Sequence, residues 1–241
     1  MSEIQNPKNC QILSGSALKL IAVITMIIDH IGAFILIENP AAAGALFSGA
    51  PKWLTLYNIT RTVGRAAFPI YCFLVAEGAR YTRSRKRYGI NLFAFALISE
   101  PVWNLIHNDT LRYEKQNVFF TLFLGYICIC LCDLFREKPA ALAGCAAGMV
   151  VLAVLLNADY GCKGMAMIPV MYLLREKHFE RTVIACGLTS TPLRELPGIM
   201  LLWLYNGERG FIKGKVSKYV FYAIYPVHIL ILWQIRKHIY G

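Results

Sequence analysis

The stretch LKLIAVITMIIDHIGAFILI, residues 18–37, decides the fold class of this chain. A helix of about 20 apolar residues rises about 30 Å, which is the thickness of the hydrocarbon core of a bilayer. The whole chain has the same character, with 57% hydrophobic and 16% charged residues. Soluble domains contain about half apolar and about a quarter charged residues. The sequence therefore predicts an integral membrane protein.

Further apolar runs follow along the chain and predict an all-α polytopic bundle. The short runs fall below about 17 residues, so we expect them to be tilted or re-entrant, and the last two could form a hairpin around Thr189 to Pro192. We expect about nine transmembrane or partly re-entrant helices in one domain, 18–241. A short polar segment, 1–17, precedes them and lacks the pattern of a cleaved signal peptide. The clear runs are Val63 to Ala79, Tyr88 to Ile106, Val118 to Phe135, Pro139 to Leu156 and Tyr219 to Ile235, and the short ones are 164–174, 182–188 and 197–205.

The basic residues indicate the orientation of the bundle. A net charge of +11 would suggest nucleic acid as the partner of a soluble protein, but here the Lys and Arg residues lie mostly between the apolar runs. If each run crosses once from a cytoplasmic amino terminus, the inner segments hold sixteen Lys and Arg residues and the outer segments eight. The positive-inside rule therefore predicts a cytoplasmic amino terminus, with the lipid bilayer rather than nucleic acid as the partner.

Several ionisable residues lie inside the apolar runs, where each costs on the order of 2.5–3.5 kcal/mol. Asp29 follows the start of its run by eleven residues, or about 16 Å, which places it near the middle of the bilayer. Glu100 and His228 enter from the same side and reach a similar depth, so these side chains can meet. The full set is Asp29 and His30 in the first run, Arg65 and Glu77 in the second, Glu100 in the third and His228 in the last.

Plainer explanations of these residues stay open. His30 could be hydrogen-bonded between helices and only stabilise their packing. Arg65 and the two glutamates could form a structural ion-pair network, because buried charges must pair whatever their purpose. Neighbouring residues of a helix point about 100° apart. We therefore expect Asp29 to meet Thr25 or Arg65 rather than to orient the His30 ring.

The last run carries a polar face made of Lys218, Tyr222, Tyr225 and His228. Their spacing of four, three and three residues places them on one side of a helix. Tyr225 and His228 are too deep for an interfacial aromatic belt, so we expect this face to turn into the bundle.

Two loops hold further candidates. The basic stretch YTRSRKRY, residues 81–88, is explained by topology or by anionic lipid, and it could equally bind a phosphorylated ligand together with the cationic residues 213–218 on the same side. Asp159 and Tyr160 belong to a segment that first indicates a turn.

At these residues the chain resembles the TraX family, named for a conjugative-pilus protein implicated in acetylating pilin. TraX proteins are in turn similar to a wider group of membrane acyltransferases. The resemblance covers most of the chain and implies a multi-pass protein of the bacterial cytoplasmic membrane. The matching stretches are LKLIAVITMIIDHIGAF (18–34), GRAAFPIYCFLVAEGARYTRSRKRY (64–88), FAFALISEPVW (93–103), QNVFFTLFLG (116–125), ADYGCKGMAMIPVMYLLR (158–175) and SKYVFYAIYPVHILIL (217–232).

The resemblance implies transfer of an acetyl group from cytoplasmic acetyl-CoA to an amine or hydroxyl of a protein, glycan or lipid acceptor. Many bacterial members of the wider group carry an arginine and, after ten intervening residues, a histidine in the first helix. Lys19 and His30 have that spacing here, although lysine lacks the guanidinium fork. A thioester needs no metal, and histidine can act as a base or as a nucleophile.

We therefore expect His30 to be the catalytic residue, Asp29 to support it electrostatically, and no metal to take part. The inner basic loops are expected to hold the phosphates of CoA, and Arg65 and Asn117 to bind the acceptor or the oxyanion. The residues assigned to substrate binding are Lys19, Arg65, Glu77, Glu100, Asn117, Asp159, Tyr160, Lys218, Tyr222, Tyr225 and His228.

Two other classes of protein remain alternatives. A proton-coupled transporter also places Asp, Glu and His at mid-membrane, although no internal repeat relates the two halves of this chain. A non-catalytic membrane scaffold of an envelope assembly would not need His30 near the centre of the bilayer.

Overall fold

The computed structural model describes residues 11–44, 46 and 54–241, and within these ranges it contains helices and no β-strand. The protein is an all-α membrane protein, as predicted. Most of the predicted amino-terminal segment, residues 1–10, lies outside the described residues. The helices are α1 (Gly15–Phe34), α2 (Pro40–Ala43), α3 (Leu56–Gly64), α4 (Ala67–Tyr81), α5 (Arg85–Asn108), α6 (Val118–Leu134), α7 (Pro139–Leu155), α8 (Gly161–Leu173), α9 (His178–Leu188), α10 (Pro192–Leu201) and α11 (Lys215–Tyr240).

Three helices form the long axis of the bundle. The stretches Gly15–Glu38, Arg85–Asn108 and Val216–Tyr240 are long and apolar enough to cross a membrane. They run in the same direction, because the far end of α11 is bonded to the far ends of both other helices. Trp233 Nε1 donates to Asp109 Oδ1 at 2.7 Å, and the Tyr240 hydroxyl donates to the carbonyl of Ile35 at 3.3 Å.

We call the end of the bundle where α1, α5 and α11 begin the basic end. Exposed Arg83, Arg85, Lys86 and Arg87 lie there, at the turn from α4 into α5. The sequence prediction that this end faces the cytoplasm stays a prediction.

The second predicted run, 63–79, is not one helix. It divides into α3 and α4 at Arg65 and Ala66, and α3 begins seven residues before the apolar run does. Gly64 lies against Asp29 of α1 so closely that a Cβ atom would overlap the aspartate side chain. Arg61, one of the eight basic residues counted in the outer segments, lies within α3 and contacts α1 rather than standing in a loop.

Helices α6, α7 and α8 form the other side of the bundle. Gly125 of α6 lets Ile168 of α8 approach its backbone, which brings these two helices into close contact. The loop between α7 and α8 returns to the bundle, where Gln116 N donates to the carbonyl of Asn157 at 3.1 Å. Helix α8 therefore begins inside the bundle rather than at its far surface.

Helices α9 and α10 form a re-entrant hairpin, which agrees with the alternative that the short runs allowed. They have 11 and 10 residues, or about 16 Å each, roughly half of a bilayer core. The hairpin starts and ends at the basic end, where Leu13 N donates to the carbonyl of Leu204 at 2.8 Å. Gly198 packs on the backbone of Ala66, so the hairpin is pressed against the joint between α3 and α4.

The core is apolar and so is much of the outer surface. Leu18, Ile70 and Ile168 are fully buried between the helices, whereas Ile24 and Val154 are more than half exposed. A surface of this kind is suited to lipid rather than to water.

Candidate functional site

A small cavity of about 40 Å³ lies between the helices near the middle of α1. Its polar lining comes from four parts of the chain: α1, α4, the loop before α8, and α11. The polar residues are Asp29, His30, Tyr71, Asp159, Tyr160 and Tyr225, and the remaining lining is Met26, Gly64, Ala67, Phe68, Trp103 and Val118. The structure therefore brings together several residues that the sequence analysis selected from distant segments.

His30 forms a close pair with His228 across the α1–α11 interface. The atoms Nδ1 of His30 and Nε2 of His228 are 2.6 Å apart, and the two rings are almost parallel. The other nitrogen of His228, Nδ1, is 2.7 Å from the carbonyl oxygen of Ile224. The depth argument from sequence predicted that Asp29, Glu100 and His228 could meet; His228 lies against His30, the neighbour of Asp29, whereas Glu100 does not line this cavity.

The partners of His228 fix the hydrogen positions when both rings are neutral. A carbonyl only accepts, so Nδ1 of His228 must carry a hydrogen, and its Nε2 is then an acceptor. His30 must therefore donate from Nδ1, which leaves its Nε2 with a free electron pair. The result is a series of hydrogen bonds with a fixed direction, in which His30 donates to His228 and His228 donates to the Ile224 carbonyl. The His30 ring, at one end of this series, lines the cavity.

Aromatic neighbours hold the His30 ring in place. Phe34 lies 5.5 Å and Tyr225 lies 6.1 Å from it between ring centroids, and the Tyr225 contact is edge-to-face. Contacts of this geometry stabilise a fixed ring orientation.

Asp29 forms an ion pair with Arg61, one turn before the joint of α3 and α4. Nη1 of Arg61 lies 2.5 Å from Oδ2 of Asp29 and also donates to the Asp29 carbonyl at 3.2 Å. Of the two partners expected from sequence, Arg65 lies near Asp29, whereas the Thr25 hydroxyl donates to backbone carbonyls of its own helix. Oδ1 of Asp29 is buried and has no hydrogen-bond partner among the described residues.

Arg65 lies at the joint itself, close to several negative groups but without a direct ion pair among the described residues. The carboxyl groups of Asp29, Asp159 and Glu195 lie near the Arg65 guanidinium. Its Nε atom is buried and has no hydrogen-bond partner among the described residues. Glu195 is only 3% exposed and accepts a hydrogen bond from the Thr191 hydroxyl at 3.1 Å.

Asp159 and Tyr160 reach the cavity from the loop between α7 and α8, outside the helices. Tyr160 stacks on Phe68 with ring centroids 3.5 Å apart, and its backbone N–H donates to the Thr121 hydroxyl at 3.5 Å. Burial raises the pKa of Asp159 from the ordinary 3.8 to about 6, although Lys115 and Arg65 favour its ionised form. The segment that first indicated a turn thus contributes a carboxyl group to the site.

Glu100 and Asn117 lie apart from the cavity and bind each other. Asn117 Nδ2 donates to Glu100 Oε2 at 2.5 Å and to the Ala96 carbonyl at 2.8 Å. Its Oδ1 accepts from the N–H of Phe119 at 3.0 Å, so Asn117 caps the start of α6. These contacts use the hydrogen-bonding capacity of the Asn117 side chain.

Glu77, Lys19 and Lys218 lie at the basic end. Lys19 is about 16 Å from His30 along α1, and Lys218 is about 15 Å from His228 along α11, whereas Tyr222 is about 9 Å from His228. Glu77 pairs with Arg175, Nε to Oε1 at 2.7 Å. Lys19 lies near Arg209, and Lys218 lies over the rings of Tyr219 and Tyr222.

Arg61, Tyr71 and Glu195 are polar residues of this region that sequence reasoning missed. Arg61 precedes Arg65 by four residues, which is the spacing of one helix face and could have signalled it. Glu195 gave no such signal, because the apolar run begins only at Pro197.

No group of three or more His, Cys, Asp or Glu side chains within residues 11–44, 46 and 54–241 is arranged to hold a metal ion. The fold and the site define a multi-helix membrane protein with a buried pair of histidines beside a charged joint.

Comparison with known proteins assigns the family. The sequence pattern of the family described as TraX protein matches residues 14–236, so the chain belongs to the TraX family. It is 29% identical over 253 residues to a probable fimbrial assembly protein FimC, serogroup H1, of Dichelobacter nodosus, and the match covers 91% of this chain and 94% of that protein. No solved structure matches the chain.

Proposed function

We propose that this protein is a membrane-embedded acyltransferase of the bacterial cytoplasmic membrane. It moves an acetyl group from cytoplasmic acetyl-CoA to an amine or hydroxyl of a protein, glycan or lipid acceptor. The observation that carries the proposal is the His30–His228 pair, which leaves an unprotonated ring nitrogen on a residue that lines a buried cavity.

His30 Nε2 acts as the general base in this proposal. It takes the proton of the acceptor N–H or O–H as that group attacks the thioester carbonyl, and it returns the proton to the departing thiolate. His228 keeps the His30 ring in the required tautomer. The imidazolium that forms is stabilised by the nearby carboxylates of Asp29 and Asp159, which face the same cavity.

The size of the cavity supports a short acyl group. A cavity needs a volume of about 10–15 Å³ to hold one water molecule. The cavity beside His30 has about 40 Å³ and therefore holds only a few non-hydrogen atoms. The acetyl group has three. Two bulky side chains, Phe68 and Trp103, form part of the cavity wall and limit its width.

The basic end supplies the charge for binding CoA phosphates. Lys86 and Arg87 are exposed at the start of α5, and Tyr88 beside them is bonded to Tyr222 of α11, one turn after Lys218. From Lys218 to His228 is ten residues, or about 15 Å along the helix. Phosphates held at the basic end thus leave the thioester arm about 15 Å to span to reach His30.

The fimbrial relative supports a role in assembling surface fibres, and it favours a second candidate. A non-catalytic membrane component of a fimbrial assembly would also fit the printed name of that relative. Such a component would need neither acetyl-CoA nor a free nitrogen on His30.

The test uses membranes that contain the full chain, incubated with radiolabelled acetyl-CoA, with label followed into protein, glycan and lipid fractions. Wild type is expected to label one fraction, and His30→Ala to lower the rate by on the order of 10²- to 10⁴-fold. Asp29→Asn should lower it less. His238→Ala is the matched control, because His238 is exposed near the end of the same bundle.

Each result separates the candidates. Wild type that neither binds nor consumes acetyl-CoA would overturn the proposal in favour of the non-catalytic component. Labelling that survives His30→Ala would keep the reaction class and remove His30 from its site.

A further inference from the structure

Tyr225 has a buried hydroxyl group whose hydrogen is not donated to any acceptor among the described residues. The residue is 4% exposed, and its hydroxyl has no acceptor among the described residues. A buried hydroxyl without an acceptor destabilises the folded state, so such a group needs a physical reason. Tyr225 lines the same cavity as His30.

The start of α6 lies beside this hydroxyl. Val118, the first residue of α6, lies close to the Tyr225 oxygen and also lines the cavity. The N-terminus of a helix carries partial positive charge and favours negative charge on a neighbouring oxygen. The hydrogen of the Tyr225 hydroxyl is therefore left for a ligand in the cavity, beside this positive end of α6.

The ring of Tyr225 is fixed on several sides. It meets His30 and His228 edge-to-face, with centroids 6.1 and 5.7 Å apart, and Phe119 at 5.3 Å. The phenol is therefore positioned relative to the histidine pair before any ligand binds, which is the property of a preorganised donor.

We infer that Tyr225 donates its hydroxyl hydrogen to the oxyanion of the tetrahedral intermediate, an inference that rests on the proposed acyl transfer. The acceptor nitrogen or oxygen forms a bond to the thioester carbon while His30 Nε2 takes its proton. The carbonyl electron pair moves to oxygen, and Tyr225 stabilises that charge at the start of α6. When the carbon–sulfur bond breaks, the carbonyl re-forms and the thiolate takes the proton from His30, giving acetylated acceptor and CoA.

The substitution Tyr225→Phe tests this role cleanly, because it removes one oxygen and keeps the ring contacts. We expect kcat to fall on the order of 10²-fold, as for the loss of an oxyanion donor, with the KM for acetyl-CoA nearly unchanged. The unfolding temperature should stay equal or rise, since an unsatisfied buried hydroxyl is lost. The control is Tyr219→Phe, a partly exposed tyrosine on the same helix, which should leave kcat unchanged.

The outcomes distinguish this inference from the function on which it rests. If wild type transfers acetyl, His30→Ala does not, and Tyr225→Phe keeps full kcat, the inference falls and the acyltransferase stands. A rise in KM alone would make Tyr225 a binding residue and would also overturn the inference. Absence of transfer by wild type overturns both.

Discussion

Two polar pairs join neighbouring helices in this bundle, and they differ in what they leave unsatisfied. In the pair Glu100–Asn117, the amide of Asn117 is bonded to Glu100, to the Ala96 carbonyl and to the backbone of α6. In the pair His30–His228, Nε2 of His30 lines a cavity and has no hydrogen-bond partner within the described part of the chain. The first pair is complete without a ligand, whereas the second is not.

The difference teaches how to read buried polar residues in a membrane protein. Glu100 and the two histidines looked alike in sequence, because depth and cost of insertion are similar for any ionisable side chain. Burial alone does not indicate function. Polar atoms that are buried without a hydrogen-bond partner among the described residues do, and Oδ1 of Asp29 and Nε of Arg65 are two of them. The experiments below test this distinction.

The largest expected effect comes from His228. In His228→Leu the His30 ring loses the acceptor for its Nδ1 hydrogen and can adopt the wrong tautomer, so kcat should fall by about 10²- to 10⁴-fold, as when a base loses its orienting partner. In His228→Gln the amide oxygen can accept that hydrogen bond, and we expect part of the rate to return. Steady-state kinetics with acetyl-CoA over a range of pH checks both variants.

Equal rates for the leucine and glutamine variants would show that His228 only fills space. The His30–His228 pair would then be a packing contact, because His228 would not set the tautomer of His30.

The sequence predicted the fold where length decides it. The runs behind α1, α5 and α11 are long enough to cross a bilayer, and each helix was expected within a few residues of its bounds. The break at Arg65 was not predictable, because it arises where Gly64 meets Asp29 of another helix. The re-entrant hairpin stayed an alternative in sequence, since about 10 apolar residues fit both a hairpin and a tilted crossing.

The sequence predicted the depth of the site but not its partners. Counting residues placed Asp29, Glu100 and His228 at a similar depth, and in the structure His228 contacts His30, which is next to Asp29. The choice of Arg61 rather than Thr25 as the partner of Asp29 depends on how α1 and α3 are rotated and packed. Such rotation is set by tertiary contacts, which no single helix encodes.

A second prediction concerns Asp159, whose pKa of about 6 means that its ionisation disfavours the folded state. Asp159→Asn removes that cost. The variant should match wild type in stability near pH 4, gain on it as the pH rises from 4 to 6, and stay ahead above pH 6. A pKa of about 6 instead of 3.8 corresponds to at most about 3 kcal/mol. The same variant should have a lower kcat, because the imidazolium of His30 loses a nearby carboxylate.

Thermal unfolding in detergent at pH 4 and pH 8, beside acetyl transfer at pH 8, checks this prediction. A gain in stability with a loss of rate is the signature of a functional site. If Asp159→Asn is less stable than wild type at pH 8, Asp159 has a structural role like that of Glu100 and Asn117.

The smallest effect is expected at the pair that is already complete. Glu100→Ala leaves the N–H groups of Asn117 short of an acceptor, so the free energy of unfolding should fall by about 1–3 kcal/mol, and Glu100→Gln should restore part of it. The KM values for donor and acceptor should stay unchanged, because neither residue lines the cavity. A raised KM in Glu100→Gln, without a loss of stability, would return Glu100 to the substrate-binding role that the sequence assigned to it. In that case, completeness of hydrogen bonding would no longer separate structural from functional polar residues in this bundle.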